Sequence, residues 1–315
     1  MSDVAISVEG LVKRFGDVVA LDGIDFAVPR GTVLGLLGPN GTGKTTAVRI
    51  LTTILRPDGG NATVLGLDVA SYPKSVRSII GLAGQYAAVD GNLTGRENLR
   101  MVGQLTHLDR SLIAPRTDEL LARFALTDAA DRPSRTYSGG MRRRLDLAAA
   151  LMHRPPVLFL DEPTTGLDPQ GRNDLWAVIG ELVADGTTLL LTTQYLEEAD
   201  RLADNIVVID HGRVIAEGSA SELKGQIGTT VVEARFEDGG SARQVAPMLQ
   251  AVGKAEIVGG GNAVAVNVPD SGPALLEIVR ILDERGFKPS AVAVREPTLD
   301  DVFLRLTGHT TGDDK

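Results

Sequence analysis

The sequence predicts an α/β fold followed by a smaller α+β domain. Over roughly the first two thirds of the chain, strand-length apolar runs alternate with helix-length segments, and this alternation favours a parallel sheet covered by helices. From about residue 228 the order becomes strand, helix, strand, strand, helix, strand, which is typical of a ferredoxin-like domain. We therefore expect one domain at residues 1–225, a second at 226–307 and a flexible polar tail at 308–315.

The strands of the first domain are predicted from their apolar runs. Residues 4–28 alternate apolar and polar side chains, as half-exposed strands do, whereas TVLGLL at 32–37 is almost continuously apolar, as a buried strand is. VLFL at 157–160 and TTLLLT at 187–192 have the same buried character. Residues from about 93 to 150 show helical periodicity, so we expect a mainly helical insertion within this domain.

The second domain is predicted from shorter segments. Its strands are expected in TTVVEARF, KAEIV, NAVAVNV and SAVAVRE, and its helices in SARQVAPMLQAV, GPALLEIVRILDERG and TLDDVFLRLTG. None of these segments carries a catalytic constellation. We expect this domain to support or regulate an assembly of the first domain.

Composition excludes several classes of function. The formal charge of −9 argues against a nucleic-acid partner, and the absence of cysteine excludes disulfides, thiolate catalysis and cysteine-bound zinc. The amino terminus, MSDVAISVEG, lacks the basic and apolar regions of a signal peptide, and no apolar run reaches the roughly 18 residues of a membrane span. We therefore expect a cytoplasmic chain that reaches a membrane only through a partner.

GPNGTGKT, residues 38–45, matches the phosphate-binding pattern G-x4-G-K-[ST]. Glycines allow backbone amides to curl around phosphate oxygens, and the following helix adds its positive end. Lys44 supplies a charge for the β- and γ-phosphates, and the Thr45 hydroxyl suits Mg²⁺. A chance glycine-rich turn is disfavoured by the strand before it and the helix after it. The expected nucleotide-binding residues are Gly38, Pro39, Asn40, Gly41, Thr42, Gly43, Lys44, Thr45 and Thr46.

VLFLDEPTTGLDP, residues 157–169, places two acids directly after a buried strand. The carboxyl ends of such strands are where open α/β sheets bind ligands. Asp161 fits a Mg²⁺-holding acid, and Glu162 fits a group that polarises the attacking water. The alternative is that both acids merely begin a solvated loop, which a phosphate loop in the same sheet disfavours.

YSGGMRRRLDLA, residues 137–148, begins a helix with Ser138 as a good N-cap and with Gly139 and Gly140 leaving their amides open. Taken alone, this pattern is typical of an ordinary capped helix. The run Arg142–Arg144 is expected to face water or acids of the helical insertion, the alternative being a direct phosphate contact.

In this order and spacing, these motifs resemble the ATP-binding subunits of ATP-binding cassette (ABC) transporters, over residues 4 to about 220. The resemblance implies an ABC-type P-loop NTPase fold, ATP and Mg²⁺ as cofactors, and a head-to-tail homodimer. Each nucleotide would lie between one P-loop and the partner's Ser138, Gly139 and Gly140. Gln85 would lie near Mg²⁺ and the membrane partner, and Asp168 at the dimer seam.

Four positions need separate interpretation under this resemblance. Phe15 matches the family's adenine-stacking aromatic, with a core aromatic as the alternative. Tyr137 and Met141 depart from the commoner LSGGQ, although the SGG core is present. Gln194 stands where the family usually has a histidine that reaches the γ-phosphate. A glutamine can donate and accept hydrogen bonds there but cannot carry a proton, so its role would be positional. The alternative is an exposed polar residue without nucleotide contact.

LTTQYLEEAD, FLDEPTTGLDPQGRNDLW and REPTLDDVFLRLTG are similar to segments of daunorubicin-resistance ATPases, which are halves of antibiotic exporters. This similarity implies a separate ABC-2-type membrane subunit, attachment to the cytoplasmic face of the membrane, and export of an amphipathic drug or lipid-like metabolite. The alternatives are the ATPase of a polysaccharide or envelope-lipid exporter, and a soluble cassette ATPase acting on ribosomes or DNA. A purely regulatory module is disfavoured by the presence of Lys44 and Glu162.

Overall fold

A computed structural model describes residues 3–84, 89–226, 230–295 and 298–307. The chain divides into two compact units, the first ending at Glu217 and the second beginning at Gly218. Within the described ranges, none of the helices has both the length and the apolar character needed to cross a bilayer. The predicted tail at 308–315 lies outside the described residues.

The strands of the first unit form two sheets. Their bounds are β1 (Val4–Phe15), β2 (Val18–Pro29), β3 (Val33–Leu37), β4 (Gly59–Val64), β5 (Leu67–Asp68), β6 (Ile80–Ala83), β7 (Val157–Asp161), β8 (Thr188–Thr193), β9 (Asn205–Asp210) and β10 (Arg213–Gly218). One sheet has the order β2-β1-β4-β5 and is antiparallel. The other has the order β10-β9-β3-β8-β7-β6, and its pairs from β9 to β6 are parallel.

The helices of the first unit include the predicted insertion. Their bounds are α1 (Lys44–Leu51), α2 (Pro73–Ile79), α3 (Gly95–Leu105), α4 (Arg110–Arg123), α5 (Gly139–Ala150), α6 (Pro169–Ala184) and α7 (Leu196–Leu202). Of these, α3, α4 and α5 fall within the insertion predicted at about 93–150. The capping box of Thr94 and Glu97 starts α3, since each side chain accepts a backbone N–H of the other residue.

Apolar side chains bury the parallel sheet on both faces. Phe159 and Leu190 belong to a cluster with β1, β2 and α1, whereas Leu158 and Leu189 belong to a cluster with the insertion and α6. Successive strand residues point to opposite faces of the sheet, so β7 and β8 each contribute side chains to both clusters. Each fully buried leucine contributes roughly 1.5–3 kcal/mol. The sheet is therefore a rigid support for whatever lies at the ends of its strands.

The second unit confirms the α+β prediction. Its elements are α8 (Ala220–Gly225), β11 (Thr230–Arg235), α9 (Gly239–Leu249), β12 (Lys254–Val258), β13 (Ala263–Val268), α10 (Ser271–Glu284), β14 (Ala291–Arg295) and α11 (Leu299–Thr307). The sheet is antiparallel with the order β12-β13-β11-β14, the ferredoxin-like arrangement. The unit begins earlier than the predicted boundary at 225/226 because α8 contacts α11.

Two charged residues of the segment REPTLDDVF, Arg295 and Asp301, hold the first turn of α11 in place in this unit. The Arg295 guanidinium forms two bonds to the Asp301 carboxylate, of 2.6 and 2.9 Å, and a third to Glu233 at 3.1 Å. Asp301 also accepts the backbone N–H of Thr298 at 2.7 Å, which caps α11. Paired guanidinium–carboxylate bonds are directional, so Arg295 fixes the first turn of α11 against β11 and β14.

Candidate nucleotide site

The site lies where three neighbouring strands end. Leu37 of β3 pairs with Thr193 of β8, and Asp161 of β7 pairs with Thr192. Since β8 lies between β3 and β7, Gln194 follows the strand that separates the phosphate loop from the two acids. Side chains from three sequence-distant segments therefore meet at one edge of the sheet.

The loop before α1 is folded around Lys44. Its ammonium Nζ donates to the carbonyl oxygens of Gly38 at 2.6 Å and Pro39 at 2.7 Å, and the Thr42 hydroxyl also donates to Pro39 O at 2.9 Å. Burial lowers the pKa of Lys44, an effect that the negative charges of Glu162 and Asp161 oppose. The lysine thus supplies a shielded positive charge beside both carboxylates.

A cavity of about 320 Å³ opens at this loop. It is lined by Asn40, Gly41, Gly43, Lys44, Thr45, Thr46 and Glu162. The phosphate-loop residues and the second acid therefore face the same space, as the sequence predicts. Open backbone amides, an ammonium group and the start of α1 make this space suitable for phosphate groups.

Asp161 is held by two hydroxyl groups. Its Oδ1 accepts from Thr45 Oγ1 at 3.1 Å and from Thr192 Oγ1 at 2.6 Å. Carboxylate and hydroxyl oxygens are hard ligands of the kind that Mg²⁺ prefers. The juxtaposition of Thr45 and Asp161 fits a Mg²⁺ site that includes both residues.

Glu162 leaves the strand in an unusual backbone conformation. Its φ of 49° lies in the left-handed region, which costs a non-glycine residue about 1–3 kcal/mol. The Glu162 N–H donates to Thr192 Oγ1 at 3.0 Å and to Thr192 O at 3.1 Å, which stabilises this turn. Thr165 Oγ1 donates to the carboxylate at 3.3 Å. The turn directs the carboxylate into the cavity.

Thr192 is a residue that sequence reasoning missed. It accepts the Glu162 N–H and donates to Asp161, so one side chain of β8 positions both acids. The only signal in the sequence is a polar residue near the end of an apolar strand, and many strands end in this way. The pairing of β8 with β7 is what gives Thr192 this position.

Several predicted residues lie on other elements. Phe15, at the end of β1, is 48% exposed, so the core-aromatic alternative is wrong. Ser138 caps α5 by accepting the Met141 N–H at 3.2 Å, and Gly139 and Gly140 begin that helix. None of these residues is among the described residues that line the cavity.

Asp168, Gln85 and Gln194 complete the predicted set. Asp168 caps α6 by accepting the Gly171 N–H at 2.9 Å. Gln85 lies outside the described residues. Gln194 is half-buried directly after β8, and its contact with a nucleotide stays a prediction.

The middle residue of the arginine run has contacts beyond those that the sequence predicts. Arg142 is exposed, but the Arg143 side chain is only 11% exposed and points inward. It donates to backbone carbonyl oxygens of Pro163, Glu162 and Asp161, at 2.7, 2.9 and 3.1 Å. Arg143 thus faces Asp146, an acid of the insertion, as expected, but its hydrogen bonds go to residues 161–163, because the helix turns it toward the end of β7.

Glu198, also outside the predicted set, is fully buried on α7. Its Oε1 accepts from Trp176 Nε1 at 3.1 Å, and Arg201 lies over the Trp176 ring, 4.9 Å from its centroid. Burial raises the pKa of the Glu198 carboxyl, although its hydrogen bonds and the charge of Arg143 favour the ionised form.

We expect Glu198→Gln to reduce the loss of stability as pH rises. An acid whose folded-state pKa is raised favours folding while it is protonated, and this contribution is lost as pH rises from the unfolded to the folded pKa. Glutamine keeps an acceptor for Trp176 but cannot ionise. Urea unfolding measures the free energy of unfolding at about pH 5 and at about pH 8. This free energy should therefore decrease less between the two pH values for the variant than for the wild type. The exposed Glu197→Gln should follow the wild type, and equal pH dependence of all three would contradict the prediction.

Known proteins resemble this chain, and two of them do so over nearly its whole length. The sequence profile of the ABC transporter family matches residues 21–165. The daunorubicin resistance ATP-binding protein DrrA2 of Streptomyces coeruleorubidus is 53% identical over 313 residues, covering 99% of this chain and 97% of that protein. The Nod factor export ATP-binding protein I of Ralstonia nicotianae is 41% identical, covering 98% and 95%. A solved ATP-binding subunit of an ABC transporter has a TM-score of 0.65 at 28% identity, covering 70% of this chain and 92% of that one.

Proposed function

The chain belongs to the ABC transporter family as one of its ATPases, and we propose that it powers an exporter of an amphipathic drug or lipid-like metabolite. The observation that carries the proposal is the cavity in which the phosphate loop and Glu162 meet. The similarity to a daunorubicin resistance protein over nearly the whole chain supports the choice of cargo class.

Within the cavity, each group has a distinct task. Backbone amides from Asn40 to Thr46 would bind phosphate oxygens, and Lys44 would neutralise the β- and γ-phosphates. Thr45 and Asp161 would hold Mg²⁺, which offsets charge on the phosphates when bound. Glu162 would accept a hydrogen bond from the attacking water and orient it. The adenine would stack on Phe15, whose exposed ring is available for such a contact.

The remaining predicted residues suit a second copy of the chain. Ser138 and Gly139 are exposed at the start of α5, which leaves that helix end accessible. In a head-to-tail homodimer, Ser138, Gly139 and Gly140 would bind the γ-phosphate held by the partner's P-loop. Gln85 would contact Mg²⁺ and the membrane subunit, and Asp168 would lie at the seam between the copies.

Gln194→Ala is expected to lower ATP turnover by about 10-fold or more, because a lost hydrogen bond to a charged group costs about 1.5–3 kcal/mol. Gln194→His should retain turnover, since imidazole also donates a hydrogen bond to phosphate. Steady-state phosphate release from the purified proteins measures both variants. Full activity of Gln194→Ala would remove this side chain from the site.

Two experiments test the proposed function. Pull-down of the tagged chain from mild-detergent membranes should recover an ABC-2-type permease with several membrane spans, and recovery of ribosomes or DNA would overturn the transport reading. Cells expressing the chain with that permease should accumulate less of an amphipathic drug than cells expressing Lys44→Ala with it. Equal accumulation across a panel of such drugs would refute drug export.

Export of another metabolite is the second candidate. The similarity to a Nod factor export protein favours it, because that relative also spans nearly the whole chain. Polysaccharides and envelope lipids belong to this candidate. This second candidate predicts that the pull-down recovers a permease but that drug accumulation is the same with the wild type and with Lys44→Ala. The two experiments together therefore distinguish the candidates.

A further inference from the structure

Arg143 connects α5 to the loop that carries both acids. Its Nε donates to Pro163 O, and its Nη2 donates to Glu162 O and Asp161 O, at distances of 2.7, 2.9 and 3.1 Å. Its Nη1 donates to the carbonyl oxygen of Gly84, directly after β6. One guanidinium therefore bonds to three successive carbonyls, beginning at the last residue of β7, and to a fourth directly after β6.

The arrangement requires a guanidinium group. Arginine presents five N–H donors in a rigid plane, whereas the lysine ammonium is a point charge with three donors on a flexible chain. The Arg143 charge also lies 3.6 Å from the buried carboxylate of Asp146, one turn further along α5. Burial lowers the pKa of Arg143, and the charges of Asp146 and Asp161 oppose this effect.

The two ends of this connection serve different nucleotides in the proposed dimer. Glu162 lines the cavity of its own chain, whereas the exposed Ser138 is the N-cap of α5. Ser138 and Arg143 lie within the first turns of one helix, so displacing one displaces the other. A change in the segment Asp161–Pro163, here called the Glu162 loop, is thereby transmitted to Ser138, which would contact the partner's nucleotide.

We propose that Arg143 is a positioning residue that couples the two ATP sites of the dimer. It holds the Glu162 loop and α5 as one unit, so that nucleotide binding in one site aligns Ser138 for the other. The inference rests on the proposed function, because it needs two copies of the chain and a nucleotide between them. Neither Arg142 nor Arg144 has these contacts, since Arg142 is exposed and Arg144 donates to Phe124 O at 3.3 Å.

The test measures ATP hydrolysis against ATP concentration for the full-length chain in complex with its permease. Arg143→Lys and Arg143→Gln are compared with the wild type and with the matched surface variant Arg142→Gln. We expect a wild-type Hill coefficient above 1. Both Arg143 variants should lose about 10-fold or more in kcat and have a Hill coefficient near 1, because bonds to a charged donor are lost. Their affinity for a fluorescent ATP analogue should stay within about twofold, since Arg143 does not line the cavity.

The outcomes separate positioning from general structural support. If Arg143→Gln does not fold, Arg143→Lys still tests the proposed coupling of the two sites, because it keeps the buried charge. An Arg143→Lys variant with lower thermal stability but wild-type cooperativity would overturn the inference, as would a wild type without cooperativity. A wild-type complex that hydrolyses no ATP would refute the proposed function itself. Loss of cooperativity in Arg142→Gln would equally refute a specific role for Arg143.

Discussion

Glu162→Gln is expected to stop ATP turnover while leaving ATP binding intact. Glutamine has nearly the same shape as glutamate, so the left-handed turn and the bonds to Thr192 should survive. The amide cannot act as a base for the attacking water, which should cost at least about 100-fold in kcat. Phosphate release measures turnover, and titration with a fluorescent ATP analogue measures binding.

The control for this substitution is Glu181→Gln on the exposed side of α6, which should behave as the wild type. Loss of ATP binding in Glu162→Gln would show that the carboxylate stabilises the loop rather than the reaction. Turnover within about threefold of the wild type would exclude Glu162 as the base, because general-base catalysis contributes far more than this.

Gly43→Ala is expected to destabilise the first unit and abolish ATP binding. Gly43 has a φ of 108°, and a Cβ atom there would lie 2.3 Å from Ala20 O and 2.7 Å from the Leu21 side chain. Backbone strain and the clash together should cost roughly 2–5 kcal/mol. Relieving the clash would move the phosphate loop away from β2. Urea unfolding and nucleotide titration measure the two effects.

Gly41→Ala separates the clash from the strain. Gly41 also has a positive φ, of 81°, but a Cβ atom there would have no neighbour within 4 Å. This variant should lose only about 1–2 kcal/mol, the cost of the left-handed conformation. If Gly41→Ala and Gly43→Ala were equally destabilised, close packing against β2 would not be the reason for glycine at position 43.

Local patterns were enough to predict most of the fold and the site. A period of two in strands and of 3.6 in helices depends on neighbouring residues, so the strands and helices were predictable in order. The phosphate loop was predictable because a single segment holds its glycines, Lys44 and Thr45. Asp161 and Glu162 were predictable because both directly follow the apolar run VLFL.

The inward direction of Arg143 could not be predicted from such local patterns. Arg142, Arg143 and Arg144 are chemically identical, and successive helix residues differ by about 100° in direction. The sequence contains no information on which direction faces the Glu162 loop. Packing of α5 against β6 turns Arg143 inward and leaves Arg142 exposed.

The sequence by itself determined the chemical groups of this protein: a lysine and amides for phosphate, two acids after a strand, and a glutamine at the end of another. The tertiary structure alone decided how those groups meet. Insertion of β8 between β3 and β7 brings Thr192 to both acids, and the left-handed turn at Glu162 directs its carboxylate into the cavity. The physical reason is that strand order and register come from long-range packing, which places residues far apart in sequence within hydrogen-bonding distance.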